Sequence, residues 1–305
     1  MTGPLTGAAT PSAGGTALAC VVLAHNDPAH VRRLIHALDP FPVFLHCDLR
    51  TPDDVFGAMT TDLPDRCRVL TRLPTPWATW NAVAAEISGY RAALAQTDAG
   101  HIAMLSGSDY PLVDSARIQE YLASRQGVSI ASFDPLPRAA WRGGGLQRLR
   151  YRHRPFRRHM LRLPIPRRIP ADVAPAGGSV LKVLARHHVQ QLVDTYDARP
   201  DLVAFWRSSW CADETFVPTV MNTPAFVPDW SDAHVDADLW FIDWLSGGGK
   251  SPEWLTEAHL PVLAERSRAT VGEPTLFARK FSSTRNPDVI DRIDRALRRT
   301  DIPSL

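Results

Sequence analysis

Apolar residues in the first half of the chain come in short unbroken runs. Leu18 to Ala24, Pro42 to Asp48 and Ile102 to Ser106 read as strands buried on both faces, with a shorter one over 67–71. Between them the apolar spacing changes to three and four. Val31, Leu34, Ile35 and Leu38 mark a helix capped by Asp27 and opened by Pro28, and Asn81 to Gln96 marks a longer one. Such alternation across short loops predicts an α/β fold, a mostly parallel sheet flanked by helices in a single domain. Further on, Val180 to Tyr196 reads as one helix with Leu181, Leu184, Val189, Leu192 and Val193 inward. Val289 to Leu297 reads as a closing amphipathic helix. Residues 1–17, rich in Gly, Ala, Thr and Pro, read as a disordered tail, leaving 18–305 as the folded unit.

Open sheets of this kind bind ligands beyond the carboxyl ends of their strands. His25, Asp48, Trp77 and Asp109 all fall at or just after such ends. The chain has neither GxGxxG nor GxxxxGK(S/T), so a dinucleotide fold and a P-loop are both unsupported.

The stretch richest in candidate chemistry is Ser208 to Phe216, where Asp213 and Glu214 stand as an acidic pair among Trp206, Trp210 and Phe216. Helical periodicity from Thr215 would put both carboxylates in a first turn, where the macrodipole favours them. That position suits a helix cap and equally a general base able to take a proton from a hydroxyl.

Composition sharpens the picture at two points. Of 34 Lys and Arg, only Lys182, Lys250 and Lys280 are lysines, and an ammonium suits a phosphate as a point charge. Lys182 reads as an incidental surface residue. Lys250 lies in Gly247-Gly-Gly-Lys-Ser-Pro252, a loop able to cradle an anion, and Lys280 in Leu276-Phe-Ala-Arg-Lys-Phe281. Secondly, Arg138 to Arg168 holds 11 arginines in 31 residues and no acid. Clustered guanidiniums can serve nucleic acid, but Pro155, Pro164 and Pro166 break the segment, so a solvated loop closing over an anionic donor or packing on an acidic surface is favoured.

Other signals exclude rather than assign. A net charge of +2 argues for no nucleic-acid or membrane partner, and no apolar run reaches spanning length. The amino terminus lacks the basic-then-apolar pattern of a signal peptide. Cys20, Cys47, Cys67 and Cys211 have no metal spacing and read as free thiols in a reducing, cytoplasmic setting. His187 and His188, adjacent on a helix, are expected to point apart. Asp236-Ala-Asp238 has the form of a metal-holding DxD motif, but no strand is expected to end just before it, so it reads as a surface turn.

Taken in order, Leu-Ala-His-Asn-Asp-Pro (23–28), Phe-Leu-His-Cys-Asp (44–48), Leu-Ser-Gly-Ser-Asp-Tyr-Pro-Leu (105–112), Asp-Glu-Thr-Phe (213–216) and Phe-Ala-Arg-Lys-Phe (277–281) resemble the core-2/I-branching β-1,6-N-acetylglucosaminyltransferases and peptide-O-xylosyltransferases. The resemblance spans about residues 18–298. It implies a GT-A fold and an inverting enzyme that moves a sugar, N-acetylglucosamine in the first instance, from a UDP-sugar donor to a hydroxyl on a glycan or natural product. UDP-xylose is the alternative donor, and a nucleic-acid-binding protein using 138–168 is the alternative class. No cofactor or divalent metal is implied, because basic side chains meet the diphosphate. Carried over by position, Glu214 is the base with Asp213 beside it. Arg279 and Lys280 meet the phosphates with Lys250 and Ser251 nearby. His25, Asp48, Arg50 and Trp77 lodge the uridine, and Asp109 lies on the sugar side. Two departures stand out. The family's Trp-Gly is Trp77-Ala78 here, and its Gly-Ser-x-Trp-Trp block is Gly178-Ser179-Val-Leu-Lys. The absence of an anchor and of disulfides implies a bacterial, cytoplasmic member.

Overall fold

The structure, a computed structural model, describes residues 16–156, 159–244 and 251–298. Nearly all of the expected tail, and Lys250 with its glycines, therefore lie outside the described residues. The first half runs β1 (Leu18–Ala24), α1 (Pro28–Ala37), β2 (Val43–Cys47), α2 (Asp53–Thr60), β3 (Cys67–Val69), α3 (Trp80–Gln96), β4 (His101–Ser106), β5 (Asp109–Pro111), α4 (Ser115–Ala123), β6 (Ser129–Ile130) and β7 (Phe133–Pro135). Next come α5 (Gln147–Arg150), β8 (Tyr151–Phe156), β9 (His159–Pro166), β10 (Ala176–Gly178), β11 (Lys182–Ala185), α6 (Arg186–Ala198), α7 (Pro200–Trp206) and α8 (Phe216–Met221). The chain closes with β12 (His234–Val235), β13 (Trp240–Ile242), α9 (Leu260–Ser267), β14 (Phe277–Arg279) and α10 (Pro287–Ala296).

The main sheet has the order β12-β6-β11-β4-β1-β2-β3. Its pairs are parallel except those of β11, which runs antiparallel to both β4 and β6. The expected mostly parallel α/β sheet flanked by helices is thus the observed one. Unbroken apolar runs serve it because each strand is covered twice. Leu18, Cys20 and Val22 of β1 pack on the face holding α1 residues Val31, Leu34 and Ile35. Ala19 and Val21 pack on the face holding α3 residues Val83, Ile87 and Tyr90. Asp27 caps α1 as expected, its side chain accepting from the His30 amide at 3.2 Å. All four cysteines are free. Among the described residues no helix is long and apolar enough to cross a membrane.

Two expectations fail for local reasons. The expected helix from Val180 begins only at Arg186, because Lys182–Ala185 is strand β11. Val183 and Leu184 are buried within the sheet, and four residues with no exposed face suit a strand between neighbours. The arginine-rich segment is largely solvent-exposed, as expected, but it is not a loop. β8 and β9 form an antiparallel ladder of their own, and its unpaired outer edges accommodate the prolines.

Candidate active site

Three groups of expected site residues gather at the carboxyl ends of the parallel strands. The first follows β2. Asp48 is buried, and its carboxylate takes Arg50 Nη2 at 2.6 Å, Arg50 Nε at 3.2 Å, and the amides of Arg50 at 2.9 Å and Thr75 at 3.2 Å. Burial alone would raise its pKa, but these donors win and hold the carboxyl at about 2. The Asp48 amide donates to Ala24 at 2.9 Å and Thr51 Oγ1 to the His25 carbonyl at 2.9 Å, so the exits of β1 and β2 are tied together. Trp77 stands beside them with 73% of its surface exposed.

Ala78 follows with φ at 61°, a left-handed backbone that costs a residue with a Cβ about 1–2 kcal/mol. The glycine of the resembling pattern fits this position for that reason. Ala78→Gly is therefore expected to stabilise the fold by about 0.5–1 kcal/mol, the strain relieved less the extra freedom of the unfolded chain. Urea unfolding checks this, and an unchanged or lower midpoint would count against the strain.

The second group is a cationic arm. β14 pairs antiparallel with β5, and their register sets Arg279 opposite Asp109. Asp109 is fully buried and accepts from Ser106 Oγ at 2.6 Å, the Ser106 amide at 2.9 Å and Trp240 Nε1 at 3.1 Å, with Arg279 Nε at 3.6 Å. Burial outweighs these partners and raises its pKa. Asp109 thus faces Arg279 and reaches no solvent. Lys280 Nζ donates to Ser251 Oγ at 2.7 Å and lies 4.6 Å from the Trp254 ring centroid, with the Arg285 guanidinium 5.1 Å from the same ring. Burial, then Arg279, hold Lys280 below the usual lysine range. Asp27 fastens this arm to the exit of β1, accepting from Ser282 Oγ at 2.9 Å, the Ser283 amide at 2.8 Å and Ser283 Oγ. Gly107 lets the exit of β4 pass close to that of β1, since a Cβ there would lie 2.8 Å from that of Ala24.

The third group is the acidic pair. Asp213 and Glu214 lie not in the first turn of α8 but in a separate 3₁₀ turn, Ala212–Glu214, which follows left-handed Cys211 (φ 48°). With α8 only six residues long, its dipole is no longer their main support. Trp206 and Phe216 turn into the core instead, and Trp206 Nε1 donates to Thr215 Oγ1 at 3.1 Å. The support that replaces them comes from the arginine-rich segment. Arg148 pairs with Glu214 Oε2, its guanidinium 3.8 Å from the Trp141 ring centroid and 5.1 Å from that of Trp210. Arg167 binds Ser208 Oγ at 2.8 Å and Ser209 Oγ at 2.6 Å. Glu214 keeps about a third of its side chain exposed (35%). Asp213 Oδ1 is buried without a hydrogen-bond partner, and burial, then the charge of Glu214, push its pKa up to about 7. The Cys211 amide donates to the Ala78 carbonyl at 3.3 Å, joining this turn to the loop carrying Trp77.

Behind the acidic turn lies a pair that no sequence signal marked. Lys182, expected at the surface, is buried on β11 with its Nζ 2.8 Å from Glu86 Oε1 of α3, the two side chains 0% and 2% exposed. Beside the turn, a cavity of about 490 Å³ is lined by Trp80, Tyr196, His153, Arg207 and Ser209 among others. Asp236 and Asp238 are exposed and do follow a strand, the two-residue β12, and Asp238 Oδ1 accepts from the Trp240 amide at 3.0 Å. His187 and His188 do not point apart. Their ring centroids are 4.0 Å from one another and both rings face Asp229.

Residues 28–261 match the family model described as Core-2/I-Branching enzyme. Xylosyltransferase 2 of Rattus norvegicus is 28% identical over 204 residues, which is 62% of this chain and 22% of that protein, and the Mus musculus protein matches to the same extent. The chain thus spans about a fifth of the length of these relatives. Mouse xyloside xylosyltransferase 1 superposes with a TM-score of 0.36 at 10% identity, covering 86% of this chain and 97% of that one, a likeness too loose to argue from.

Proposed function

The chain belongs to the Core-2/I-Branching enzyme family, and from that premise we propose that it is an inverting glycosyltransferase using a UDP-sugar. The observation that carries the reading is the meeting of Arg279, Lys280 and Ser251 with the exits of β1 and β4, reached from the other side by the loop that touches the acidic turn. In this reading Asp48 and Arg50, with His25 and Trp77, seat the uridine. Lys280 and Arg279 neutralise charge growing on the departing diphosphate, the electrostatic work a divalent ion would otherwise do. Lys250 adds a second ammonium, and Asp109 steers Arg279.

Glu214 accepts the proton of an acceptor hydroxyl as that oxygen attacks the anomeric carbon from the face opposite UDP. The new C–O bond forms as the bond to the diphosphate breaks, and UDP leaves with its electron pair. Arg148 holds Oε2, so the proton goes to Oε1. The cavity lined by Trp80, Tyr196, His153 and Ser209 receives the acceptor, since a cleft with apolar walls and a few polar groups suits a sugar or natural-product ring. N-acetylglucosamine transfer in β-1,6 linkage is the first donor reading. Xylose is the second, favoured by the name of the xylosyltransferase 2 relatives. Of the arginines in 138–168, Arg148 and Arg167 are committed to the 205–214 stretch, whereas Arg150, Arg152, Arg154 and Arg162 are exposed, so nucleic-acid binding stays the second class and calorimetry with an oligonucleotide at two salt concentrations tests it. A cytoplasmic location is proposed with the rest.

Thermal stabilisation and UDP release across a panel of UDP-sugars test the reading, and a panel without any stabilising member overturns it. Lys280→Ala is expected to weaken UDP binding and turnover together, read by calorimetry and steady-state kinetics. Turnover is expected to survive EDTA. A loss restored by Mn²⁺ but not by Zn²⁺ would instead place a cation on Asp236 and Asp238.

A further inference from the structure

The imidazoles of His187 and His188 and the carboxylate of Asp229 converge at the end of the sheet remote from the proposed donor site. β11 runs against β1 and β4, so α6, which follows it, begins at the opposite end from the exits of those strands. His187 Nε2 lies 3.0 Å from Asp229 Oδ2, and His188 Nε2 lies 3.6 Å from Asp229 Oδ1. The three donor groups all lie within 4.8 Å of one another. Two of their atoms have no hydrogen-bond partner although buried: His188 Nε2, on a side chain that is 0% exposed, and Asp229 Oδ1. A buried imidazole nitrogen facing a buried carboxylate oxygen just beyond hydrogen-bond reach leaves two polar groups unsatisfied. One cation between them would satisfy both.

The spacing suits a particular kind of ion. Around a tetrahedral Zn²⁺ with bonds of about 2.0–2.2 Å, neighbouring ligand atoms stand about 3.3 Å apart. The observed 3.0 Å and 3.6 Å bracket that separation. The far nitrogen of His188 is already engaged. Its Nδ1 shares a 2.7 Å hydrogen bond with Ser129 Oγ, which also accepts from the Ala185 amide at 2.8 Å. A metal-binding imidazole needs such a partner to fix its ring and tautomer. Side chains of His187 and Asp229 remain 42% and 43% exposed, which gives the ion an entry path and room for a water as fourth ligand. We propose that His187, His188 and Asp229 form a structural site for a Zn²⁺-type cation, fastening the first turn of α6 to the segment between α8 and β12.

Calorimetry of the full chain, stripped with chelator and dialysed, with Zn²⁺ alone as titrant tests this. One equivalent is expected to bind, raising Tm, and X-ray absorption should show two imidazoles and an oxygen at about 2.0–2.1 Å. Ser129→Ala should weaken binding by about 10–100-fold and the nearly isosteric Asp229→Asn by at least as much, whereas exposed His36→Ala should change nothing. Near-ultraviolet circular dichroism checks that Asp229→Asn is folded, and His187→Ala serves in its place should it not be. Absence of binding, an Asp229→Asn protein that binds like the wild type, or an absorption spectrum without imidazole overturns the site. None of these outcomes depends on UDP binding or sugar transfer.

Discussion

Glu214→Gln is expected to bind UDP as the wild type does and to lose about 10²–10⁴-fold in kcat, the usual contribution of a general base. The substitution keeps the shape of the side chain and a carbonyl oxygen for Arg148 while removing the group that accepts the proton. Calorimetry with UDP and single-turnover transfer assays separate the two effects, and wild-type turnover would rule out Glu214 as the base. A second readout comes from its neighbour. Asp213 is held at about 7 by burial and by the charge of Glu214, so removing that charge should lower it and shift any stability change near neutral pH. In the wild type the sign is definite. A carboxyl near 7 in the fold and near 3.9 when unfolded gives the fold the tighter hold on the proton. That contribution is fully present below about pH 4 and is lost as pH rises through 7. Urea midpoints should therefore fall across this window in the wild type, and less steeply in Glu214→Gln.

Lys182→Met is expected to destabilise the protein by about 3–5 kcal/mol, because it leaves the Glu86 carboxylate in the core without its cation. Adding Glu86→Gln should recover most of the loss, since two neutral side chains of similar volume need no mutual charge. Denaturant unfolding of the single and double variants checks both statements. A single variant as stable as the wild type would show that the pair carries no such strain. The effect should also reach the acidic turn. Lys182 opposes, and Glu86 adds to, the upward push on Asp213, so removing the ammonium should drive that carboxyl higher. Lys182 thus acts on the turn through the electric field rather than by contact.

Much of this arrangement is legible in the sequence alone, for physical reasons. β1, β2 and β4 announce themselves because a strand covered on both faces can tolerate few polar residues. Asp27 and Pro28 announce α1 because capping is local chemistry. The same locality explains what was missed. Leu181 and Leu184 fit a helical spacing as well as a strand, and only the vacancy between β4 and β6 decides between them. Lys182 looks like a surface residue until Glu86, 96 positions earlier, is found beside it. The segment 138–168 contains no acid, which implied that its arginines find carboxylates elsewhere, yet nothing in it pointed to Glu214 for Arg148. His187 and His188 are about 100° apart around an α-helix, but their side chains converge because Asp229 draws both.

The Asp27 staple and the β5–β14 ladder have a consequence for biosynthesis. Arg279 to Ser283 emerge from the ribosome some 250 residues after the β1 exit that they complete. The nascent chain can assemble its central strands early, but the cationic arm arrives late, with only α10 after it, and finds Asp109 and Asp27 already in place. Premature termination between β12 and Phe277 would therefore keep every strand of the main sheet and lose the arm that faces Asp109 and Asp27.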